Sequence, residues 1–164
     1  MRASETVTDA NADREFIMTR VFDAPARLLF KAYSQPEHVA KWFGPKGWPI
    51  TLCEIDFRVG GRYRFAMTGP SGVQNTPFGG KYLEIVPNEK IVFDNTFEEP
   101  GSETMIMTVT FDEHGGKTTM TLHTLFASVE MRNAHIGGGF EEGTGSSYDQ
   151  LAEVVADLVA NEKA

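Results

Sequence analysis

Few polar side chains in this sequence stand at the spacings that known catalytic or metal-binding motifs require. The chain has four histidines: His38, His114, His123 and His135. No two of them are spaced as metal ligands on one helix are, so the sequence predicts no metal site. Gly116-Lys117-Thr118 has the end of a phosphate-binding loop, but such a loop has a glycine five positions earlier, where this chain has Phe111. We expect neither a metal nor any other cofactor.

A few strand residues are candidates for acid–base chemistry or for orienting a ligand. Glu84 and His123 could transfer protons if their side chains face an internal cavity. Arg64, Tyr82 and Asn95 could orient a bound molecule through hydrogen bonds. The serine-hydrolase elbow Gly-x-Ser-x-Gly is missing from the sequence. Because no pair of residues demands a catalytic role, the sequence leaves open whether the protein is an enzyme.

Methionine and phenylalanine dominate the strands that would carry those polar groups. One strand face has Met105, Met107, Val109 and Phe111, and the next strand has Met120, Leu122, Thr124 and Phe126. Methionine-rich faces adapt to irregular apolar ligands, and the alternative is plain core packing against the final helix. The aromatic residues around a Gly/Pro-rich turn would either plug the core or form the mouth of a pocket. The candidate cavity residues are Trp42, Phe43, Trp48, Phe65, Met67, Tyr82, Glu84, Phe93, Asn95, Met107, Val109, Met120, Leu122, His123, Phe140, Thr144, Tyr148 and Leu151.

Alternating apolar and polar residues predict seven strands with short connections. They are expected at residues 15–22, 50–57, 62–68, 78–86, 91–97, 104–111 and 117–126. Sequential strands joined by short turns favour an antiparallel meander, because parallel pairing needs long crossovers. The first strand would lie at an edge of the sheet.

Three helices are predicted around this sheet. Ala26, Leu29, Phe30 and Tyr33 form the apolar face of a short one that begins after Pro25. A capping box at Ser34-Gln35-Pro36-Glu37 would open the second, which Gly44-Pro45 ends. The third is long and C-terminal, begins near residue 140, and buries a stripe against the sheet. Sheet and helix together predict the α+β class.

Composition limits the partners and the compartment. The chain has 164 residues, a net charge of −8 and 41% hydrophobic residues, which fit one globular domain. The acidic balance argues against nucleic acid or an anionic membrane as the partner. The single cysteine, Cys53, excludes an intrachain disulfide and is interpreted as a small buried hydrophobe. We expect a flexible tail at 1–14, a domain at 15–164, a cytoplasmic location, and a monomer or homodimer.

Several short motifs follow one another along the chain. They include Arg20-Val21-Phe22-Asp23-Ala24-Pro25 and Lys41-Trp42-Phe43-Gly44-Pro45. Asp56-Phe57-Arg58-Val59-Gly60-Gly61-Arg62-Tyr63 comes next, and then the segments 80–92 and 116–122. The order of these motifs resembles the START/Bet v 1-like superfamily, in the branch related to the activator of Hsp90 ATPase. The resemblance extends from about residue 15 to the C-terminus.

This resemblance implies a helix-grip fold, in which a curved seven-stranded antiparallel sheet surrounds a long C-terminal helix, with two short helices after the first strand. It implies a cavity for a lipid-like, aromatic or polyketide-like molecule. Two alternatives follow from relatives: activation of an Hsp90-type chaperone in a stress response, and an enzyme such as a cyclase or hydrolase that uses the same cavity. Members often have tryptophan after the glycine of the last helix, whereas here Thr144 and Gly145 follow Gly143.

Overall fold

Seven antiparallel strands form one curved sheet that surrounds the last helix, in a computed structural model that describes residues 12–163. The strands are β1 (Glu15–Phe22), β2 (Ile50–Ile55), β3 (Arg62–Met67), β4 (Phe78–Val86), β5 (Lys90–Phe97), β6 (Met105–His114) and β7 (Lys117–Leu125). The helices are α1 (Ala26–Ser34), α2 (Pro36–Trp42), α3 (Val129–Gly137) and α4 (Phe140–Lys163). The strand order β1-β7-β6-β5-β4-β3-β2 confirms the predicted helix-grip α+β fold, with β1 at an edge.

The core lies between the concave face of the sheet and α4. Alternation puts Val109 of β6 and Met120 of β7 on that face, where both are fully buried. The helix contributes Leu151 and Val155 from its inner stripe. Truncation of a buried leucine to alanine costs about 2–5 kcal/mol, so this half of the core supplies much of the stability.

The junction between the two short helices differs from the predicted capping box. Ser34 is the last residue of α1, and its hydroxyl donates to the carbonyl of Lys31. Gln35 caps α2 without a side-chain hydrogen bond. Pro36 then occupies the first turn, where its fixed φ and missing N–H are tolerated. The capping box is therefore wrong, although the proline marks the start of the helix correctly.

Helix α3 is the element that the sequence pattern does not predict. None of its side chains is fully buried, so it has no clear apolar stripe. Its beginning is set by Ser128, whose Oγ accepts a hydrogen bond from the backbone N–H of Met131 at 3.0 Å. After Gly139, which has a φ of 94°, α4 begins at the predicted position.

The predicted N-terminal tail falls mostly outside the described residues, at positions 1–11, and its end at Ala12–Arg14 forms a 3-10 turn before β1. Within residues 12–163, no helix is both long and apolar enough to cross a membrane.

Candidate functional site

A cavity of about 220 Å³ lies between the concave face of the sheet and the N-terminal half of α4. Ten of the predicted residues line it: Trp42, Phe43, Met67, Phe93, Asn95, Met107, Leu122, Phe140, Thr144 and Tyr148. They come from β3, β5, β6, β7, α2 and α4, so the fold brings together positions that are far apart in the chain. A void of about 30 Å³ beside it is lined by two further predicted residues, Phe65 and Tyr82.

Three of the predicted residues are buried in solid core instead. Val109, Met120 and Leu151 are each 0% exposed and do not line the cavity. They pack where Leu29 of α1 and Val155 of α4 fill the space over the sheet. Complete filling by side chains leaves no room for a ligand at this end.

Trp48 and His123 lie away from the cavity. The ring of Trp48 covers Gly69 so closely that a Cβ there would lie 2.5 Å from the indole. His123 alternates with the inward-facing Leu122 and Thr124, which puts its imidazole on the convex face, where Nε2 contacts the carboxylate of Glu15. The side chain of His123 is therefore not available to a molecule in the cavity.

Glu84 lies on the convex face because β4 contains a bulge. Tyr82 pairs with Phe93, but the register shifts before Glu84, which pairs with Val92. One extra residue in the strand reverses the alternation, so Glu84 and Tyr82 face opposite sides of the sheet. The carboxylate of Glu84 forms an ion pair with Lys90 at 2.8 Å and is half-exposed. The acid–base role expected of it in the cavity is not supported by this position.

The turn that ends α2 is fixed to α4 by side-chain hydrogen bonds. The backbone N–H of Gly44 donates to Oγ of Ser147 at 2.9 Å. Gln150 donates through Nε2 to the carbonyl oxygens of Gly44 at 2.7 Å and Trp42 at 3.2 Å. Trp42 itself donates through Nε1 to the carbonyl of Ala32 at 3.0 Å. These bonds hold the aromatic side of the cavity at a fixed distance from the helix.

Two groups of neutral hydroxyls and amides lie in the wall. The hydroxyls of Tyr33 and Tyr148 are 2.8 Å apart. The hydroxyl of Tyr63 lies 2.8 Å from the backbone oxygen of Asp94 and 2.7 Å from Oδ1 of Asn95. Burial raises the pKa of all three tyrosines, so their hydroxyls stay protonated at neutral pH.

The position of Tyr63 depends on a glycine in the neighbouring strand. Gly80 pairs with Tyr63 across β3 and β4, and a Cβ at Gly80 would lie 2.1 Å from the backbone oxygen of Asp94. The N–H of Lys81 donates to the carboxylate of Asp94 at 2.9 Å. A glycine therefore allows the close backbone approach on which this part of the wall depends.

Sequence reasoning missed several residues of the wall. These are Tyr33, Gly44, Pro45, Tyr63, Phe78, Phe97, Met105, His135, Gly143 and Ser147. Alternation with Phe65 and Met67 is the signal that would have included Tyr63. His135 belongs to the unpredicted α3, and its Nδ1 lies 2.9 Å from the carbonyl of Met131. Donation from Nδ1 to that carbonyl leaves Nε2 as a hydrogen-bond acceptor.

A wider groove of about 550 Å³ lies on the convex face of the sheet, and it differs in character. It includes Arg64, whose Nε donates to the carboxylate of Glu98 at 2.6 Å. That guanidinium lowers the pKa of Glu98. Because Arg64 is paired on the outside, it cannot orient a molecule in the cavity.

The kinds of side chain that line the cavity limit which molecules it accepts. Among the described residues, no lysine, arginine, aspartate or glutamate lines it. Burial of an unpaired charge is costly, so a neutral molecule fits this wall. Within residues 12–163, no group of three or more His, Cys, Asp or Glu side chains is arranged to hold a metal ion.

Comparison with known proteins identifies relatives of the same fold. The family model described as activator of Hsp90 ATPase homolog 1-like protein matches residues 23–156. A crystal structure from Nitrosomonas europaea has 26% identity and a TM-score of 0.81, and covers 93% of this chain and 99% of its own. One from Mycobacterium smegmatis has 25% identity and a TM-score of 0.80, covering 94% and 99%.

A third crystal structure, from Chromobacterium violaceum, has 29% identity and a TM-score of 0.71, covering 87% of this chain and 96% of its own. No match was found among curated proteins. The agreement over nearly the whole length of both chains concerns the fold.

Proposed function

Because the chain belongs to the activator of Hsp90 ATPase homolog 1-like family, we propose that it binds a neutral, apolar small molecule between the sheet and α4. The observation that carries this proposal is the cavity of about 220 Å³, whose wall is aromatic and methionine-rich with a few neutral polar groups. Ligand sites in proteins have this composition, because apolar surface supplies affinity and a few polar groups supply orientation.

The volume limits the size of the ligand. A dry apolar cavity of roughly 150 Å³ accepts benzene. By proportion, a cavity of about 220 Å³ suits a compact molecule of roughly nine non-hydrogen atoms, which corresponds to one substituted ring or two small fused rings. Met67 and Met107 line the wall, and their flexible side chains can adapt to the outline of such a molecule.

The proposal is tested by native mass spectrometry of the protein purified from its own cells, followed by extraction of any bound compound. We expect a stoichiometric adduct of low polarity. Calorimetric titration with tetralin, a two-ring hydrocarbon, tests the same cavity without knowledge of the natural ligand. Absence of both an adduct and tetralin binding would contradict the proposal.

A second candidate function is proton transfer on a bound molecule, and the position of His135 favours it. Its ring lines the cavity, and Nε2 is left as an acceptor that could remove a proton from a ligand. If the protein is an enzyme of this kind, His135→Gln should abolish turnover of the extracted compound but leave its binding within about threefold. Equal turnover by this variant would exclude His135 as the base.

Activation of an Hsp90-type chaperone is a third candidate, and only the family description supports it. The direct assay is the ATPase rate of such a chaperone with and without this protein. If a variant with a larger side chain in the cavity, such as Thr144→Leu, still stimulates the ATPase, this function is separate from ligand binding. An ATPase rate that the unmodified protein does not change would exclude the candidate.

A further inference from the structure

Asn95 carries one hydrogen-bonding group in the cavity wall that the protein leaves without a partner. It is 7% exposed and belongs to the inner face of β5. The hydroxyl of Tyr63 lies within 2.8 Å of two oxygens, the backbone oxygen of Asp94 and Oδ1 of Asn95. A hydroxyl has one proton, so it cannot donate to both oxygens at once.

Rotation of the Asn95 amide by half a turn resolves this conflict. Tyr63 then donates to the backbone oxygen of Asp94 and accepts from the amide nitrogen of Asn95, so both short contacts become hydrogen bonds. In this orientation the amide oxygen faces the cavity. Among the described residues, no second contact to the Asn95 amide is present to satisfy that oxygen. A buried acceptor without a donor favours a ligand that supplies one.

The tyrosine pair carries another such group. The hydroxyls of Tyr33 and Tyr148 share one hydrogen bond of 2.8 Å, which uses one of their two protons. Among the described residues, no acceptor takes the other proton. Both side chains line the cavity. The pair therefore presents one O–H donor to a molecule inside.

We propose that the ligand is a neutral one- or two-ring molecule that donates a hydrogen bond to the Asn95 amide oxygen and accepts one from the Tyr33–Tyr148 pair. A ring hydroxyl and a carbonyl on the same skeleton satisfy both requirements. The inference rests on the proposed function, because it specifies the chemistry of the ligand in the same cavity. It excludes pure hydrocarbons and fatty acids as the preferred class, since the former lack polar groups and the latter are ionised at neutral pH.

Four probes of one skeleton separate the two contacts in a calorimetric titration. Tetralin has neither group, α-tetralone has only the acceptor, tetrahydronaphthol has the hydroxyl, and hydroxytetralone has both. We expect hydroxytetralone to bind about tenfold more tightly than α-tetralone, since one buried hydrogen bond accounts for about this difference. In Asn95→Leu, hydroxytetralone and α-tetralone should bind equally. In the double variant Tyr33→Phe/Tyr148→Phe, which removes both hydroxyls, the two ketones should bind more weakly while tetralin binds as before; either single variant keeps one hydroxyl with a free proton.

The outcomes distinguish this inference from the proposed function. If tetralin binds but the hydroxyl adds nothing in the unmodified protein, the inference fails and the cavity remains a ligand site. If α-tetralone gains over tetralin while tetrahydronaphthol does not, the amide presents its nitrogen and the inference is also refuted. If no probe binds, both fail. If Asn95→Leu does not fold, which circular dichroism checks, His135→Phe decides: a hydroxyl gain that survives in this variant assigns the contact to Asn95, and its loss refutes the inference.

Discussion

Thr144→Leu should raise the free energy of unfolding and weaken ligand binding at the same time. Thr144 lines the cavity from the first turns of α4, and its hydroxyl donates only to the carbonyl of Phe140 in the same helix, at 2.7 Å. Leucine puts roughly one to two additional apolar carbons into the cavity, and each contributes about 0.8 kcal/mol when buried. We expect the free energy of unfolding to rise by about 1 kcal/mol, or about 2–4 °C in Tm for a chain of this size.

The binding assay is titration with tetralin, for which we expect the Kd to rise at least tenfold because the side chain occupies part of about 220 Å³. Gly145→Ala is the matched control in the same helix. A Cβ at Gly145 meets no atom within 4 Å, so alanine should stabilise the helix by about 1 kcal/mol without entering the cavity. Unchanged tetralin affinity in Thr144→Leu, or equal weakening in both variants, would refute the placement of the site.

Three further predictions concern the wall and the core. Gly80→Ala should lower the free energy of unfolding, measured in urea, by more than about 3 kcal/mol, since its Cβ would lie 2.1 Å from the backbone oxygen of Asp94. Gly137→Ala is the control: a Cβ there meets no atom within 4 Å, so the free energy of unfolding should not fall by this amount. Trp42→Phe should cost about 2–3 kcal/mol in the same assay, because the buried carbonyl of Ala32 loses its donor; a smaller loss would mean that water replaces the indole. Burial raises the pKa of Tyr33, Tyr63 and Tyr148 above the usual value near 10, so the folded chain keeps protons that the unfolded chain releases. The free energy of unfolding should therefore be constant up to about pH 10 and fall above it by up to about 1.4 kcal/mol per pH unit for each of these tyrosines. In Tyr148→Phe the fall with pH, measured by urea unfolding, should be less steep, and an equal slope would contradict the prediction.

Periodicity predicts most of the fold because each strand has one buried face and one exposed face. β1 and β4 have the predicted bounds, and α4 begins at the predicted residue. The same rule fails at Glu84, since a bulge inserts one residue and no local sequence signal marks it. For His123 the alternation rule alone would have excluded a position in the cavity, because its neighbour Leu122 faces inward.

The site itself was harder to predict, because a cavity is defined by the absence of side chains. The aromatic and methionine residues of the strands were identified, but the sequence could not show which of them surround a void. Met107 and Val109 stand two positions apart on one face of β6, and only Met107 borders the cavity. The difference depends on what α4 and α1 put opposite each residue, which is a tertiary property.

The composition of α4 explains why the void lies at one end. Its first turns carry Gly143, Thr144 and Gly145, whereas its middle carries Leu151 and Val155, which are buried in solid core. The sheet faces this half of the helix with large side chains such as Phe93, Met107 and Leu122, so it is the small residues of the helix that leave the space unfilled there. We therefore expect stability to depend mainly on the packed end of the core and the proposed ligand binding on the end with the cavity. This separation is why we expect a substitution at Thr144 to change affinity while the core at Leu151 remains intact.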